Sequence, residues 1–219
     1  MAVVNGHKGK LSVDCQVHGA EGHSAHIDKG VNAVEIAAEI VSRLRAMQKR
    51  LQSAGPFDDR FDPPFTTIHT GQIQGGIARN IIPRDCRFEF EIRNLPGQDA
   101  DGFLADLRAY IEATLLPEMQ AVAPQCGVDV EVQSNIPALS PDEDSELLTI
   151  ALRLTDANAP GQISFATEAG LYQNAGIPTI VCGPGHIAQA HRPDEYVALD
   201  QIAACGAFLK EIIEANDRA

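Results

Sequence analysis

The residues with the clearest potential for chemistry lie in a loop at residues 183–195, where His191 is followed closely by two acidic side chains. The apolar, β-branched run at residues 177–182 predicts a buried strand just before this loop. Glycines on both sides of Pro184 predict a tight turn at the carboxyl end of that strand, where open α/β sheets bind their ligands. A loop histidine beside carboxylates suits a metal ligand or a proton shuttle, but it is more often an ordinary surface residue.

Four further side chains have types and positions that suit catalysis or substrate binding: His23, Asn80, Arg93 and Glu168. His23 could donate a hydrogen bond to a developing oxyanion, and the amide of Asn80 or the guanidinium of Arg93 could bind a carboxylate. Glu168 lies at a strand-to-helix turn, again a carboxyl-edge position. Each has an ordinary structural interpretation as a turn, strand-cap, surface or helix N-terminal residue, and the residues alone favour that interpretation.

In the first part of the chain, the predicted strands and helices follow the order of a single known fold. Residues 8–137 follow the pattern β-α-β-β-α-β, which is typical of a ferredoxin-like domain with four antiparallel strands and two helices on one face. Regular alternation of apolar and polar residues predicts half-buried strands at residues 10–18 and 85–93. Asn32, with Glu35 three residues later, is the predicted N-cap of the first helix.

The order of predicted helices and strands changes after Pro137 and becomes α-β-α-β-α. This order indicates a parallel sheet with crossover helices, so the predicted class of the whole chain is α/β with an α+β first domain. Two strands do not make a stable sheet. We therefore expect this second part either to take further strands from elsewhere or to lean on another surface.

Composition excludes several classes of function. The formal net charge of −13 argues against partners such as nucleic acid and anionic membrane surfaces. No apolar run approaches the ~20 residues of a membrane span, and the first ten residues have no signal-peptide core. The five cysteines are scattered and form no C-x-x-C pair, which fits a reducing, cytoplasmic location. No H-E-x-x-H, G-x-S-x-G or phosphate-loop motif is present.

Several short motifs cover nearly the whole chain. They are Gly6-His7-Lys8-Gly9-Lys10, Gly22-His23-Ser24-Ala25, Gly30-Val31-Asn32-Ala33, Asn80-Ile81-Ile82-Pro83 with Arg93, Thr167-Glu168-Ala169, Gly183-Pro184-Gly185 and Ala190-His191-Arg192-Pro193-Asp194-Glu195. Taken together and in order, these motifs resemble one known family, the acetylornithine deacetylase branch of the zinc aminoacylases and carboxypeptidases. Succinyl-diaminopimelate desuccinylase and carboxypeptidase G are relatives, and the residues of the motifs are most similar to the acetylornithine enzyme.

The resemblance implies a ferredoxin-like lid that forms a homodimer, at residues 8–137, and a partial zinc-hydrolase domain at residues 1–7 and 138–219. The family's catalytic domain holds two zinc ions, with cobalt as an alternative metal. By resemblance His191 is the metal ligand, and His23 is the catalytic lid residue that polarises the scissile carbonyl in the partner subunit.

The resemblance also assigns the substrate contacts. Asn80 and Arg93 correspond to residues that hold the carboxylate of an N-acyl amino acid, and Gly185 lies in the loop that lines the substrate pocket. Because the free side-chain amine of acetylornithine is cationic, an acidic pocket residue is expected, and Glu168 is the candidate.

The family's remaining metal ligands and its general base precede the segment that corresponds to Met1. We therefore expect the chain to be the C-terminal portion of such a deacetylase of arginine biosynthesis, lacking most metal ligands and inactive alone. Two alternatives stay open, namely a non-catalytic dimerisation module and a truncated gene product. N-succinyl-diaminopimelate or another N-acyl amino acid remains the alternative substrate.

Overall fold

This computed structural model describes residues 1–190 and 192–216. The chain forms two separately packed units. The insert unit is Gly9–Ile136. The split unit is formed by Met1–Lys8 together with Pro137–Ala219, so its two segments flank the insert unit in sequence.

The described residues contain nine strands and six α-helices. The strands are β1 (Ala2–His7), β2 (Lys10–His18), β3 (Gly22–His23), β4 (Thr67–Gly75), β5 (Ile81–Ile82), β6 (Asp85–Arg93), β7 (Gly127–Ile136), β8 (Gly161–Ile163) and β9 (Val181–Gly183). The α-helices are α1 (Ala33–Ala54), α2 (Ala100–Tyr110), α3 (Leu116–Val122), α4 (Glu146–Thr155), α5 (Ala169–Asn174) and α6 (Leu199–Asn216). None of these helices is long and apolar enough to span a bilayer.

The insert unit is a four-stranded sheet with the order β4-β6-β2-β7, and every neighbouring pair is antiparallel. The helices α1, α2 and α3 bury their apolar sides together with the inward residues of the strands in one core. A π-helical segment, Ile111–Leu115, joins α2 to α3 and contributes to the same core. The predicted ferredoxin-like fold is confirmed.

The local sequence explains these elements. The side chains of Leu11, Val13, Cys15 and Val17 point into the core while the residues between them are half-exposed, as the alternation in β2 predicted. The oxygen Oδ1 of Asn32 accepts the backbone N–H groups of Val34 at 3.0 Å and of Glu35 at 3.3 Å. The predicted N-cap of α1 is therefore confirmed, since these are two of the unsatisfied N–H groups of its first turn.

The split unit has a three-stranded sheet with the order β8-β1-β9. β8 is parallel to β1, whereas β9 is antiparallel to it, so β8 and β9 run in opposite directions on either side of β1. The sequence predicted two parallel strands here and did not predict β1. The helices α4 and α6 cover one face of the sheet, where Val3, Leu148, Ala151 and Phe208 form a small core.

Candidate functional site

The structure brings His23 and Asn80 together at one end of the insert unit. β3 and β5 form a short antiparallel ladder in which His23 lies opposite Ile81, the residue after Asn80. Both His23 and Asn80 are exposed. Gly19, just before this loop, must be glycine, because a Cβ there would lie 2.1 Å from the carbonyl oxygen of Val31.

The ring of His23 has a defined hydrogen-bonding role in this loop. Its Nδ1 accepts the backbone N–H of Ala25 at 3.0 Å. In the neutral imidazole the proton is therefore on Nε2, which leaves an N–H donor available to a ligand. An exposed donor of this kind suits a carbonyl oxygen that gains negative charge.

Arg93 lies at the other end of the sheet from this pair. β6 begins at Asp85, which pairs with His18 near the His23 loop, and it ends at Arg93. Eight residue steps at ~3.3 Å per residue separate these ends by roughly 26 Å. The half-buried Arg93 donates from Nε to Glu91 at 2.7 Å and from Nη2 at 3.3 Å. The insert unit of one chain therefore does not unite Arg93 with His23.

In the split unit, Glu168 is an exposed residue that immediately precedes α5. Glu168 comes after β8, whose last residue pairs with His7 at the end of β1. His7 is fully buried. His7 donates from Nδ1 to the backbone carbonyl oxygen of Lys8 at 2.8 Å. Burial lowers the pKa of His7, and the hydrogen bond to Lys8 and the negative charge of Glu168 offset this lowering only in part.

Gly185 follows β9 and borders a cavity of about 380 Å³. Its φ of +85° is in the left-handed region that favours glycine. The lining of the cavity is largely apolar and includes Val4, Ile163 and Phe165, while His186 and Glu195 contribute polar groups. The cavity therefore offers an apolar pocket with few polar groups, which is the usual character of a small-molecule site.

The predicted site residues of the split unit do not converge on one point. β9 ends opposite Ala2, and β8 ends opposite His7, so Gly185 and Glu168 follow strands at opposite ends of β1. His191, the predicted metal ligand, lies outside the described residues.

The resemblance implies zinc ions, so we asked whether the described side chains could bind them. Within residues 1–190 and 192–216, no three His, Cys, Asp or Glu side chains are arranged to hold a metal ion. A catalytic zinc site takes about three protein ligands and a structural site takes four. The described residues alone therefore do not fit a zinc centre.

Sequence reasoning missed the polar residues buried on β1. Asn5 and His7 are 2% and 0% exposed, and Asn5 accepts a hydrogen bond from Nε2 of Gln162 at 2.8 Å. The pairing of β1 with β8 shifts between Val4 and Gly6, so Asn5 occupies a bulge. The only signal in the sequence was the conspicuous Asn5-Gly6-His7-Lys8 run, which gave no indication of burial.

Comparison with solved structures supports the architecture described above. An aminopeptidase PepT from Bacillus cereus superposes with a TM-score of 0.68 at 21% identity, over 95% of this chain and 52% of that one. A tripeptidase from Staphylococcus aureus gives the same TM-score at 20% identity, over 100% of this chain and 54% of that one. At these identities the likeness shows a shared fold.

Comparison with known sequences identifies closer relatives. The acetylornithine deacetylases of Myxococcus xanthus and Proteus mirabilis are 33% and 32% identical over 210 and 211 residues, which is 96% of this chain in both cases. The matched regions make up 53% and 52% of those proteins, so the chain spans about half the length of the curated relatives that it matches. The sequence profile of the peptidase dimerisation domain matches residues 5–119. The chain therefore belongs to the peptidase dimerisation domain family, with acetylornithine deacetylases among its relatives.

Proposed function

We propose that this chain supplies the dimerisation lid and part of the hydrolase domain of an acetylornithine deacetylase-like amidohydrolase. The reaction is hydrolysis of an N-acyl amino acid. Water adds its oxygen to the acyl carbon, the C–N bond breaks, and a proton from water goes to the released amine. The observation that carries the proposal is the similarity to acetylornithine deacetylases along 96% of the chain, which includes both units.

His23 is the residue proposed to act on the scissile amide. Its Nε2–H donates to the carbonyl oxygen as negative charge develops there, and Asn80 binds the substrate carboxylate through its amide. The hydrogen bond between Ser24 N–H and Asn80 O, 3.2 Å long, holds the two loops together for this purpose. Since Arg93 is at the far end of β6, it can act on the same substrate only as a residue of the partner lid.

The split unit is proposed to recognise the rest of the substrate. Gly185 lines the pocket, and Glu168, which follows the strand at the other end of β1, attracts the cationic side chain of acetylornithine. Both roles need water-accessible positions, and Glu168 is exposed while Gly185 is half-exposed beside the cavity. Neutral N-acyl amino acids lack the cation, so Glu168 would favour acetylornithine over them.

Dimerisation is proposed to occur by pairing of β4 with β4 of a second chain. β4 is an edge strand whose residues after Ile68 are mostly exposed, including Ile73 at 53%. The opposite edge, β7, is less available because Nη2 of Arg108 donates to the carbonyl oxygen of Val130 at 2.9 Å, and Asp129 and Glu131 give it negative charge. Unpaired edge strands favour addition of a further strand.

The metal chemistry belongs to the assembled enzyme. Zinc, or cobalt in its place, would supply an activated water, and His191 is the residue of this chain proposed to bind it. Because the described residues contain no metal-binding cluster, residues 1–219 alone are proposed to be inactive.

A fusion protein tests the proposed function. The part of the Myxococcus xanthus acetylornithine deacetylase that precedes its matched region is joined to Met1, and hydrolysis of acetylornithine is measured with added zinc or cobalt. We expect turnover by the fusion and none by the unfused chain. A folded, dimeric fusion without turnover would contradict the proposal and favour a non-catalytic dimerisation module, which the profile match at residues 5–119 alone would satisfy.

A further inference from the structure

The ring of His18 lies between two carboxylates, with one at each of its nitrogens. Its Nδ1 is 3.2 Å from Oδ1 of Asp85, and its Nε2 is 3.1 Å from Oδ2 of Asp129. An ionised carboxylate only accepts hydrogen bonds, so both contacts are hydrogen bonds only when both ring nitrogens carry a proton. The arrangement therefore fits the positively charged imidazolium form of His18, which donates on both sides.

His18 joins three neighbouring strands of the insert unit at one end of their sheet. It is the last residue of β2, and Asp85, the first residue of β6, lies directly opposite it. Asp129 is the third residue of β7, whose first residue, Gly127, lies opposite His18 on the other side. The two carboxylates thus hold the end of β2 from both neighbouring strands.

Asp85 also accepts a hydrogen bond from a second cation. Nε of Arg84 donates to Oδ2 of Asp85 at 2.8 Å, and Glu21 adds a negative charge near Arg84. The hydrogen bond from Arg84, followed by that from His18, holds the pKa of the Asp85 carboxyl below its usual range. Asp85 therefore stays ionised and remains an acceptor for His18 across neutral pH.

The neighbours of this cluster along the same face of the sheet keep a fixed charge near neutral pH. Gln16, two residues before His18, is neutral. Arg87 of β6 donates from Nε to Asp14 at 2.8 Å and forms an ion pair with Glu89 at 2.9 Å. Since carboxylates and guanidinium groups keep their charges across neutral pH, His18 is the member of this group that changes its charge there.

The contact between His18 and Asp85 lies at the root of the two loops that carry the candidate site residues. His23 is five residues after His18, and Asn80 is five residues before Asp85. Beside the contact, the N–H of Gly19 donates to the carbonyl oxygen of Arg84 at 2.6 Å. The two loops are thus joined at their root as well as at the His23 and Asn80 end.

The cluster is open to water. The side chains of His18, Asp85 and Asp129 are 44%, 43% and 69% exposed. The ring can therefore exchange its proton with solvent, and ion pairs of this exposure contribute little to overall stability. A change in the charge of His18 should alter how firmly the loops are held, while the fold is retained.

We propose that protonated His18 is a positioning residue that holds the loops of His23 and Asn80 in place, and that loss of its proton loosens them. A neutral imidazole has one N–H, so one of the two carboxylates then faces a lone pair in place of a donor. The loosening concerns the insert unit alone. Its effect on catalysis rests on the proposed function, because that function assigns His23 and Asn80 their roles.

Two substitutions at His18 separate its charge from its shape. His18→Arg keeps a positive charge at every pH used and has N–H donors for both carboxylates. His18→Gln is neutral and offers donors from one end of its amide only. The matched control is Asp14→Asn, which removes the carboxylate that accepts from Arg87 on the same face of the sheet, away from the two loops.

Amide hydrogen exchange in residues 1–219 tests the loosening without measuring activity. The exchange rate of Ser24 N–H, which donates to the carbonyl oxygen of Asn80, is measured by NMR at about pH 6 and about pH 8 and divided by the intrinsic rate. We expect wild-type protection about threefold lower at the higher pH, as fits the loss of one exposed contact. His18→Arg should be equally protected at both pH values, His18→Gln weakly protected at both, and Asp14→Asn should follow the wild type.

Two results of the exchange experiment would overturn the proposal. One is equal protection of wild-type Ser24 at both pH values. The other is a His18→Arg variant that loses protection just as the wild type does, because the titrating group would then be His23 or His26 on the same loop. Circular dichroism should show that all variants are folded.

The pH dependence of the fusion protein tests the catalytic consequence. The ratio of kcat/KM for His18→Arg to that of the unsubstituted fusion cancels the ionisation of groups that both proteins share. We expect this ratio to rise about threefold between about pH 6 and about pH 8. A constant ratio in an active fusion would overturn the positioning role. An inactive fusion whose Ser24 exchange still follows the charge at position 18 would support the loosening and contradict the proposed function alone.

Discussion

The backbone N–H of Ser24 lies 3.2 Å from the carbonyl oxygen of Asn80, and this hydrogen bond ties the loop of His23 to the loop of Asn80. Two residues that are far apart in sequence are thereby presented side by side at one end of the insert unit. His23 supplies an N–H donor from Nε2, because its Nδ1 is occupied by Ala25.

The first prediction concerns His23 in the fusion protein that carries the complete hydrolase domain. His23→Ala should lower kcat for acetylornithine about 100- to 1,000-fold, since removal of one oxyanion donor has an effect of this size. KM should change little, because the donor acts mainly on the charge that develops during reaction. Steady-state kinetics with the purified protein measures both quantities.

His26→Ala is the matched control for this prediction. His26 is also exposed, and its ring centroid is 6.3 Å from that of His23. It lies on the same loop but does not belong to the β3–β5 ladder. Equal losses of kcat in both variants would mean that the loop, and not the Nε2 donor, is what catalysis requires.

The second prediction concerns the edge strand β4. Ile73→Lys should weaken the dimer of residues 1–219 at least about tenfold, because a lysine on an edge strand opposes pairing with another strand. Sedimentation equilibrium over a range of concentrations measures the dissociation constant. Val132→Lys on β7 is the control, since Val132 is exposed to a similar degree on the opposite edge. If Val132→Lys weakens the dimer and Ile73→Lys does not, β7 is the pairing edge instead.

The fold of the insert unit was predictable because its sequence pattern is local and regular. In β2 and β6 every second residue is buried and the residues between are half-exposed or exposed, and α1 begins with an Asn32 cap that the sequence already indicates. Antiparallel strands with one buried face produce such patterns directly.

The split unit was harder to predict because its central strand has no such pattern. β1 is nearly all buried, so its residues do not alternate, and it contains Asn5-Gly6, which resembles a turn. Without β1 the direction of β9 could not be inferred, and an antiparallel pairing with Ala2, Val3 and Val4 replaced the expected parallel one.

The candidate site was predictable only in its residue types. The proximity of His23 to Asn80 depends on β3 and β5, which have two residues each and give no recognisable strand pattern in the sequence. The position of Arg93 follows from the length of β6, yet the partner that it binds, Glu91, is visible only in the structure. Roles for His23, Asn80, Arg93, Glu168, Gly185 and His191 remain predictions.

The last prediction concerns the buried His7 and the dependence of stability on pH. Burial lowers the pKa of His7 from its ordinary value of 6.5. The unfolded chain therefore binds a proton at a higher pH than the folded chain does. As pH falls through 6.5, the split unit should lose stability, by at most about 1.4 kcal/mol per pH unit from this group, until the folded state is protonated as well.

His7→Asn removes the titrating ring but keeps a side-chain N–H near the position of Nδ1, which donates to the carbonyl oxygen of Lys8 at 2.8 Å. The variant should therefore show a flatter decline of the free energy of unfolding between about pH 7.5 and pH 5 than the wild type. Urea unfolding measures this free energy. The chain has three tyrosines and no tryptophan, and in a Tyr110→Phe background the fluorescence of Tyr172 and Tyr196 reports on the split unit.

His26→Asn in the same background is the control, because His26 is exposed in the insert unit and its replacement should leave the slope of the split unit unchanged. Equal slopes for wild type and His7→Asn would show that His7 titrates alike in the folded and unfolded chains. That result would contradict the burial of its ring beside β8. A steeper decline of the free energy of unfolding in the variant would also contradict the prediction. Loss of a group with a lowered pKa can only reduce the proton uptake that accompanies unfolding.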